Sequence, residues 1–252
     1  MPRKMREKSR EESREKQQKL DLSPDTTPWS LVGRVLASAF ARTVYLWGPP
    51  GVGKSFVATR EGLGDRTVAA LTLTPETPAA ELRGGWMPKG SGFEWRDGPI
   101  VTGMREGGRV VLNEVAYASS DVLAFLHPVL ESPETARLTL PSGETIEPAP
   151  GFQVVATDNC PIDQLPEALR DRFRSVLKVE GPHPDALARL HPELREAALR
   201  TYDLEPERAI SIRGWLALQD FEADLGREHA CWVVFGRERG EQIWKALRLA
   251  AA

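Results

Sequence analysis

The sequence predicts an α/β fold: a parallel sheet layered between helices, followed by a small helical region. Three observations carry that prediction. Short apolar runs rich in β-formers recur at 43–47, 66–74, 109–113, 152–157 and 175–180, and helical stretches separate most of them. Strands that alternate with helices pair in parallel, because a parallel connection needs a crossover. A glycine loop follows the first run directly, and beyond Pro182 the pattern turns purely helical, near 184–200, 211–226 and 228–249. The expected organisation is a charged arm and linker over 1–28, an α/β domain over 29–182 and a helical lid over 183–252.

The arm, MPRKMREKSREESREKQQKL, is charged almost throughout and holds i,i+4 pairs such as Glu12–Lys16 and Glu15–Lys19. It reads as a solvated helix or a disordered segment, with docking on a partner as the functional alternative. DLSPDTTP reads as linker, since its prolines and turn formers oppose regular structure. Leu31, Val32, Val35, Leu36 and Phe40 then give a helical apolar face over 29–42. TVYLW is a buried strand. Two inserts interrupt the rhythm: GGWMPKGSGFEWRDG (84–98), glycine-rich and aromatic, is a loop or hairpin, and ARLTLPSGETIEPAPG (136–151) alternates around PSG as a hairpin does.

Composition narrows the function classes. A chain of 252 residues, 41% hydrophobic and 27% charged, can bury a substantial core. A net charge of −3 argues against a chain built mainly to grip nucleic acid, while leaving room for a local basic patch. The longest apolar candidate for a membrane span, Leu31–Trp47, is broken by Arg34 and Arg42, and the charged amino-terminal stretch has no apolar segment of a secretory leader. Two cysteines, Cys160 and Cys231, lie far apart without a CxxC pattern, which fits a reducing cytoplasm. Four scattered histidines argue against zinc.

GPPGVGKS (Gly48, Pro49, Pro50, Gly51, Val52, Gly53, Lys54, Ser55) follows a predicted strand and opens a predicted helix. That is the setting of a phosphate-binding P-loop. Gly51 and Gly53 let backbone N–H groups curl around phosphates, Lys54 brings a cation to the β and γ oxygens, and Ser55 offers its hydroxyl to Mg²⁺. The helix behind them favours anions at its N-terminus. ATP and Mg²⁺ are therefore the expected ligands. The run RVVLNE ends in Asn113 and Glu114, where an ATP-hydrolysing site carries two acids. Glu114 would polarise the attacking water, and Asn113 would face the metal's water shell. An amide adds no charge, and its NH₂ is expected to face groups that are themselves donors, so weaker Mg²⁺ binding follows. VVATDNC ends a further strand in Thr157, Asp158 and Asn159; Asn159 is the natural positioner of the water, and Asp158 is a candidate for the missing carboxylate. LPEALRDRF places Arg170 and Arg172 at a helix end, where one could reach a γ-phosphate across a subunit boundary. ISIRGW places Arg213 at the start of a helix in the lid.

In that order, the motifs resemble those of an AAA+ ATPase. The phrase FEWRDGPIVTGMREGGRVVLNE and the hairpin before FQVVATDN resemble the MoxR-like and dynein-related group, over about residues 29 to 226. The resemblance implies a P-loop NTPase three-layer sandwich with a five-stranded parallel sheet and a helical lid, assembling into a homo-oligomeric ring, commonly a hexamer. It implies Gly48–Ser55 as Walker A, Asn113–Glu114 as Walker B, Asn159 as sensor 1, Arg172 as arginine finger and Arg213 as sensor 2. It also implies a chaperone-like remodeller with a protein client, often beside a von Willebrand factor A-type partner. Two departures stand out: Asn113 replaces the group's aspartate, and Cys160 separates Asn159 from Pro161.

Three readings follow. The first is an ATP-hydrolysing remodeller, whose client contacts fall to the arm, the 84–98 insert with Trp86, Phe93 and Trp95, or the 136–151 hairpin. The second is a nucleotide-gated assembly protein with little turnover because of Asn113. The third is a DNA motor, against which the hairpin tip argues: it carries Glu144 and Glu147 and no Lys or Arg where phosphate tracking needs a basic loop.

Overall fold

The computed structural model describes residues 28–204 and 209–250. The arm and linker read over residues 1–28 lie outside the described residues except for Pro28, which opens the first helix instead of closing the linker. Five strands form one sheet: β1 (Thr43–Trp47), β2 (Val68–Thr72), β5 (Arg109–Asn113), β8 (Gln153–Asp158) and β9 (Ser175–Lys178). Their order is β2-β5-β8-β1-β9, and each neighbouring pair is parallel. Strands β1 and β5 have the expected limits. The edge strands β2 and β9 are shorter than expected, because each has a partner on one side only and half-exposed faces, so pairing frays early.

Alternation along the central strands sends side chains to both faces. Tyr45, Val110, Leu112, Val154 and Ala156 join one core with Leu82, Ile100, Met104 and Leu126. Val44, Leu46, Val111 and Val155 join the other with Trp29, Val32, Leu36 and Val57. A third cluster, around Leu194, Trp215, Leu218 and Cys231, lies wholly within residues 190–247.

Several helix limits differ from expectation. Helix α1 (Pro28–Ala37) stops short of Arg42, and Phe40 is exposed rather than part of the apolar face. The reason is the C-terminal carbonyl of Leu36, which accepts from Arg66 Nη2, Arg109 Nη2 and Gln153 Nε2 and so closes the helix there. After α2 (Lys54–Ala58) come α3 (Ala79–Arg83), the antiparallel hairpin β3 (Gly84–Lys89) and β4 (Gly92–Asp97), α4 (Pro99–Glu106) and α5 (Ser120–Leu130). The 136–151 insert pairs only over β6 (Leu138–Thr139) and β7 (Thr145–Ile146). Past α6 (Glu167–Arg170), the first lid stretch is two helices, α7 (Pro184–Ala188) and α8 (Pro192–Leu204), with Pro192 restarting the chain. The break expected after residue 226 is a single kink at Gly226 (φ 72°) inside α9 (Ile212–Phe235), and Gly236 separates it from α10 (Arg237–Ala250).

Arg109 sits under the sheet at 1% exposure, with no carboxylate of the described residues paired to it. It donates to the carbonyls of Ala58 (3.0 Å), Glu61 (2.6 Å), Leu36 (3.0 Å) and Gly62 (3.1 Å) and to Gln153 Oε1 (2.6 Å). Burial, then the charge of Arg66, pushes its pKa down to about 10. The guanidinium thus supplies donors to carbonyls at the ends of α1 and α2, sharing those of Leu36 and Gly62 with Arg66. Arg109→Met keeps most of the volume and removes these donors; an expected loss of about 3 kcal/mol follows, read as a lower urea midpoint at unchanged slope.

Candidate functional site

The glycine loop leaves β1 at the carboxyl edge of the sheet, where β1 lies between β8 and β9; ligands of open α/β sheets bind at this edge. Two glycines are obligatory for steric reasons. A Cβ on Gly48 (φ 154°) would lie 2.0 Å from the Val179 carbonyl oxygen, and one on Gly51 (φ 74°) 2.5 Å from Ser211 Cβ. Ser211 caps α9, so the loop is gripped between the end of the sheet and the start of that helix in the C-terminal helical region. Lys54 Nζ donates to the carbonyls of Gly48 (2.9 Å) and Pro49 (2.7 Å) and to Asn159 Oδ1 (3.0 Å). Burial lowers its pKa to about 8, against the opposing charges of Glu114 and Asp158; Arg213 is close enough to lower it further.

Beside the loop, Ser55 Oγ donates to Asn113 Oδ1 (2.6 Å), and Thr157 Oγ1 donates to the same oxygen (2.8 Å). Asn113 Nδ2 donates to the Leu71 carbonyl (3.1 Å). This corrects the expectation that the NH₂ would confront donors. Only an N–H can face the Leu71 oxygen, so the amide is fixed with its acceptor toward Ser55. Glu114 is the one non-glycine among the described residues with positive φ (58°), a left-handed turn that lifts the side chain off the end of β5. Asn159 Nδ2 donates to both Glu114 carboxylate oxygens at 3.1 Å. One amide therefore spans Lys54 and Glu114.

A cavity of about 420 Å³ opens beside these groups, its polar lining including Pro50, Gly51, Gly53, Lys54, Ser55, Glu114, Thr157, Asn159, His183 and Arg213, with Asn113 just behind it. Phe56, Ile212 and Leu216 supply its apolar side. Val52 is buried behind the loop, its carbonyl accepting from His183 N (2.8 Å).

Residues 43–173 match the family described as AAA domain (dynein-related subfamily). Protein NorQ of Paracoccus denitrificans is 32% identical over 222 residues, which cover 85% of this chain and 80% of NorQ. Protein CbbQ of Hydrogenophilus thermoluteolus is 33% identical over 148 residues, 56% of this chain and 54% of that protein. Denitrification regulatory protein NirQ of Pseudomonas aeruginosa is 29% identical over 151 residues, 58% of each chain. The chain belongs to the dynein-related, MoxR-like AAA+ ATPase family. It spans most of NorQ and just over half of CbbQ and NirQ.

Within this AAA+ site, all the motif residues converge except Arg172. Arg172 lies before β9, at the opposite edge of the sheet, where its guanidinium pairs with Glu131. Arg170 is half-buried, its Nε without a partner among the described residues. Asp158 is not a free carboxylate. It is 1% exposed, and its oxygens accept from the backbone N–H groups of Ala116 (2.7 Å), Asn159 (2.7 Å) and Cys160 (3.3 Å) and from Cys160 Sγ (2.8 Å). It clamps the two strand-end loops together and cannot replace the charge absent at 113. The Ser55 hydroxyl and the Asn113 carbonyl oxygen, 2.6 Å apart, are hard oxygens that could hold Mg²⁺ arriving with nucleotide phosphates.

Sequence reasoning missed the wall behind the loop. His183 is buried; its Nδ1 accepts from Asp185 N (3.3 Å), which leaves the proton on Nε2 for Glu61 Oε1 (3.1 Å). Its ring meets Trp29 edge-on at 5.0 Å. The available signal was GPHPDAL, a histidine between two prolines just after the last strand.

Two outcomes are expected. Asn113→Asp sets an oxygen against the Leu71 carbonyl, and a loss of about 1–3 kcal/mol is expected, read by urea unfolding without nucleotide or metal. For Lys54, phosphates favour the charged amine, so its pKa rises on binding and a proton is taken up above about pH 8. ATP affinity is then flat below that pH and falls by up to about tenfold per unit above it. Calorimetry between neutral and alkaline pH, in buffers of different ionisation enthalpy, reads both the fall and the proton.

Proposed function

We propose that the chain is an ATP-hydrolysing subunit of a homo-oligomeric ring, a hexamer as is common in the family, that remodels a protein client. The observation that carries the catalytic part is the Asn159 amide, which ties Lys54 to Glu114 across the mouth of the cavity. A water held there by Asn159 lies in reach of the Glu114 carboxylate, which polarises it for attack on the γ-phosphate. Gly48, Pro49, Pro50, Gly51, Val52 and Gly53 wrap the phosphates with backbone N–H groups, and Lys54 neutralises the β and γ oxygens. Mg²⁺, bound with ATP, neutralises charge on those same oxygens; Ser55 and Asn113 are the residues that would hold it, directly or through its water. Arg213 reads the nucleotide from its own lid, and Arg172 reaches the neighbouring subunit's γ-phosphate.

Client contact falls to the hairpin of β3 and β4. Trp86 and Phe93 are exposed, Met87 lies between them in sequence, and Trp95 packs edge-on against Trp86 at 5.5 Å. Apolar side chains held out on a rigid hairpin suit a protein surface, a von Willebrand factor A-type partner being the candidate from the family. The DNA reading has less support: the hairpin tip over residues 140–144 has no Lys or Arg and carries Glu144. Among the described residues no helix is long and apolar enough to cross a membrane, and a cytoplasmic ring is part of the proposal.

The second reading, a nucleotide-gated assembly protein of negligible turnover, is favoured by the neutral Asn113, bonded through both its oxygen and its NH₂. Turnover with Mg²⁺ and ATP decides between them. The remodeller reading expects measurable hydrolysis that Glu114→Gln lowers by at least about a hundredfold, with ATP still bound. A parent rate equal to that of Glu114→Gln, with tight ATP binding, gives the assembly reading instead. Light scattering with and without ATP tests the ring; a particle that stays monomeric throughout removes the trans role of Arg172.

A further inference from the structure

The proposed finger, Arg172, does not hang free. Its Nε donates to Glu131 Oε1 at 2.9 Å, its Nη2 contacts the same oxygen, and its Nη1 donates to the Ala168 carbonyl. Glu131 is the residue that ends α5, and the two side chains are about one-quarter and one-third exposed (25% and 35%). Of the five guanidinium N–H groups, these contacts use the inner edge and leave one on each terminal nitrogen.

Both partners are fixed to consecutive residues at the entry to β1. Arg42 is 7% exposed and donates from Nη1 to the Glu131 carbonyl (2.7 Å) and from Nη2 to that of Val129 (3.0 Å). Thr43 Oγ1 donates to the Arg172 carbonyl (2.7 Å) and accepts from Arg174 N (3.0 Å). The carboxylate and the guanidinium are therefore anchored through their own backbones to one rigid strand. A pair that merely decorated a surface would be mobile at both ends and would hold nothing in place.

We infer that Glu131 is a positioning residue for Arg172: it brackets the guanidinium by its Nε edge and presents the outer N–H groups to the neighbouring subunit. The inference rests on the reading of Arg172 as the finger. A long arginine that enters the reaction already oriented loses less rotamer freedom at the transition state, and misplacement of a positioned group by about an ångström can cost on the order of a hundredfold. The bracket needs only one acceptor oxygen, because Nε and Nη2 share Oε1. Glutamine can hold it; alanine cannot, and aspartate is one methylene short.

The test is steady-state ATP hydrolysis by the assembled full-length protein, with ring mass followed by light scattering and residual rates read with radiolabelled ATP. Glu131→Ala is expected to lower kcat by about ten- to a hundredfold, with KM for ATP and ring mass unchanged. Glu131→Gln should restore most of the rate. Glu131→Asp should behave as the alanine variant, and it serves where Glu131→Ala does not fold. In an Arg172→Ala background, Glu131→Ala should have no further effect. A parental kcat in both Glu131→Ala and Glu131→Asp overturns the inference, as does a loss that persists undiminished in the Arg172→Ala background. The outcome for Arg172→Ala alone separates the two levels: full turnover there defeats the finger reading and this inference with it. Lost turnover there, beside unaffected Glu131 variants, defeats this inference alone.

Discussion

The parallel ladder on both sides of Thr43–Trp47 fixes the two ends of one short strand, and the functional geometry hangs from those ends. At one end, the backbone runs straight into the P-loop. At the other, Arg42 and Thr43 hold Glu131 and Arg172. Five residues of strand extend roughly 16 Å, so the proposed cis and trans halves of the site are tied through a rod paired along both edges. Its side chains are buried on both faces of the sheet, which leaves little room for either end to drift.

The two edges of the sheet solve opposite electrostatic problems. Helix ends crowd against the amino-terminal edge with carbonyls that need donors, and arginines supply them: Arg109 and Arg66 for α1 and the stretch after α2, Arg42 for α5. Desolvation lowers the pKa of all three, yet arginine stays charged where lysine would release its proton. The carboxyl-terminal edge instead presents N–H groups, Lys54 and Arg213 toward anions, with Glu114 held among them by Asn159.

Asn113 belongs to this balance. In the sequence it looks like an acid lost from a metal site. In the fold its two sides do different jobs, the oxygen collecting two hydroxyl donors and the NH₂ closing onto the Leu71 carbonyl of an edge strand. A carboxylate cannot meet the second demand. Asp158, which seemed able to compensate, is committed to backbone N–H groups and to the Cys160 thiol, whose pKa is pushed up to about 12 by burial and then by its hydrogen bond to Asp158.

The sequence by itself determined the sheet, the loop and the identity of the groups around the cavity. Those features are local: a β-run entering GPPGVGKS, or one ending in Asn-Glu, has a spacing that chemistry constrains within a few residues. The ends of helices were less legible. The stop at Ala37 depends on Arg66, Arg109 and Gln153, which lie between 29 and 116 positions further on. What only the tertiary structure decided is which polar groups are already spent. Asp158 and Arg172 read as free charges in the sequence, and each proves bonded to a partner from another element. His183 and Glu131 gave no motif, because a histidine behind a loop and a glutamate ending a helix acquire meaning only from what packs against them. Hydrogen-bond partners are set by distances across the fold, and no pattern along one chain segment encodes them.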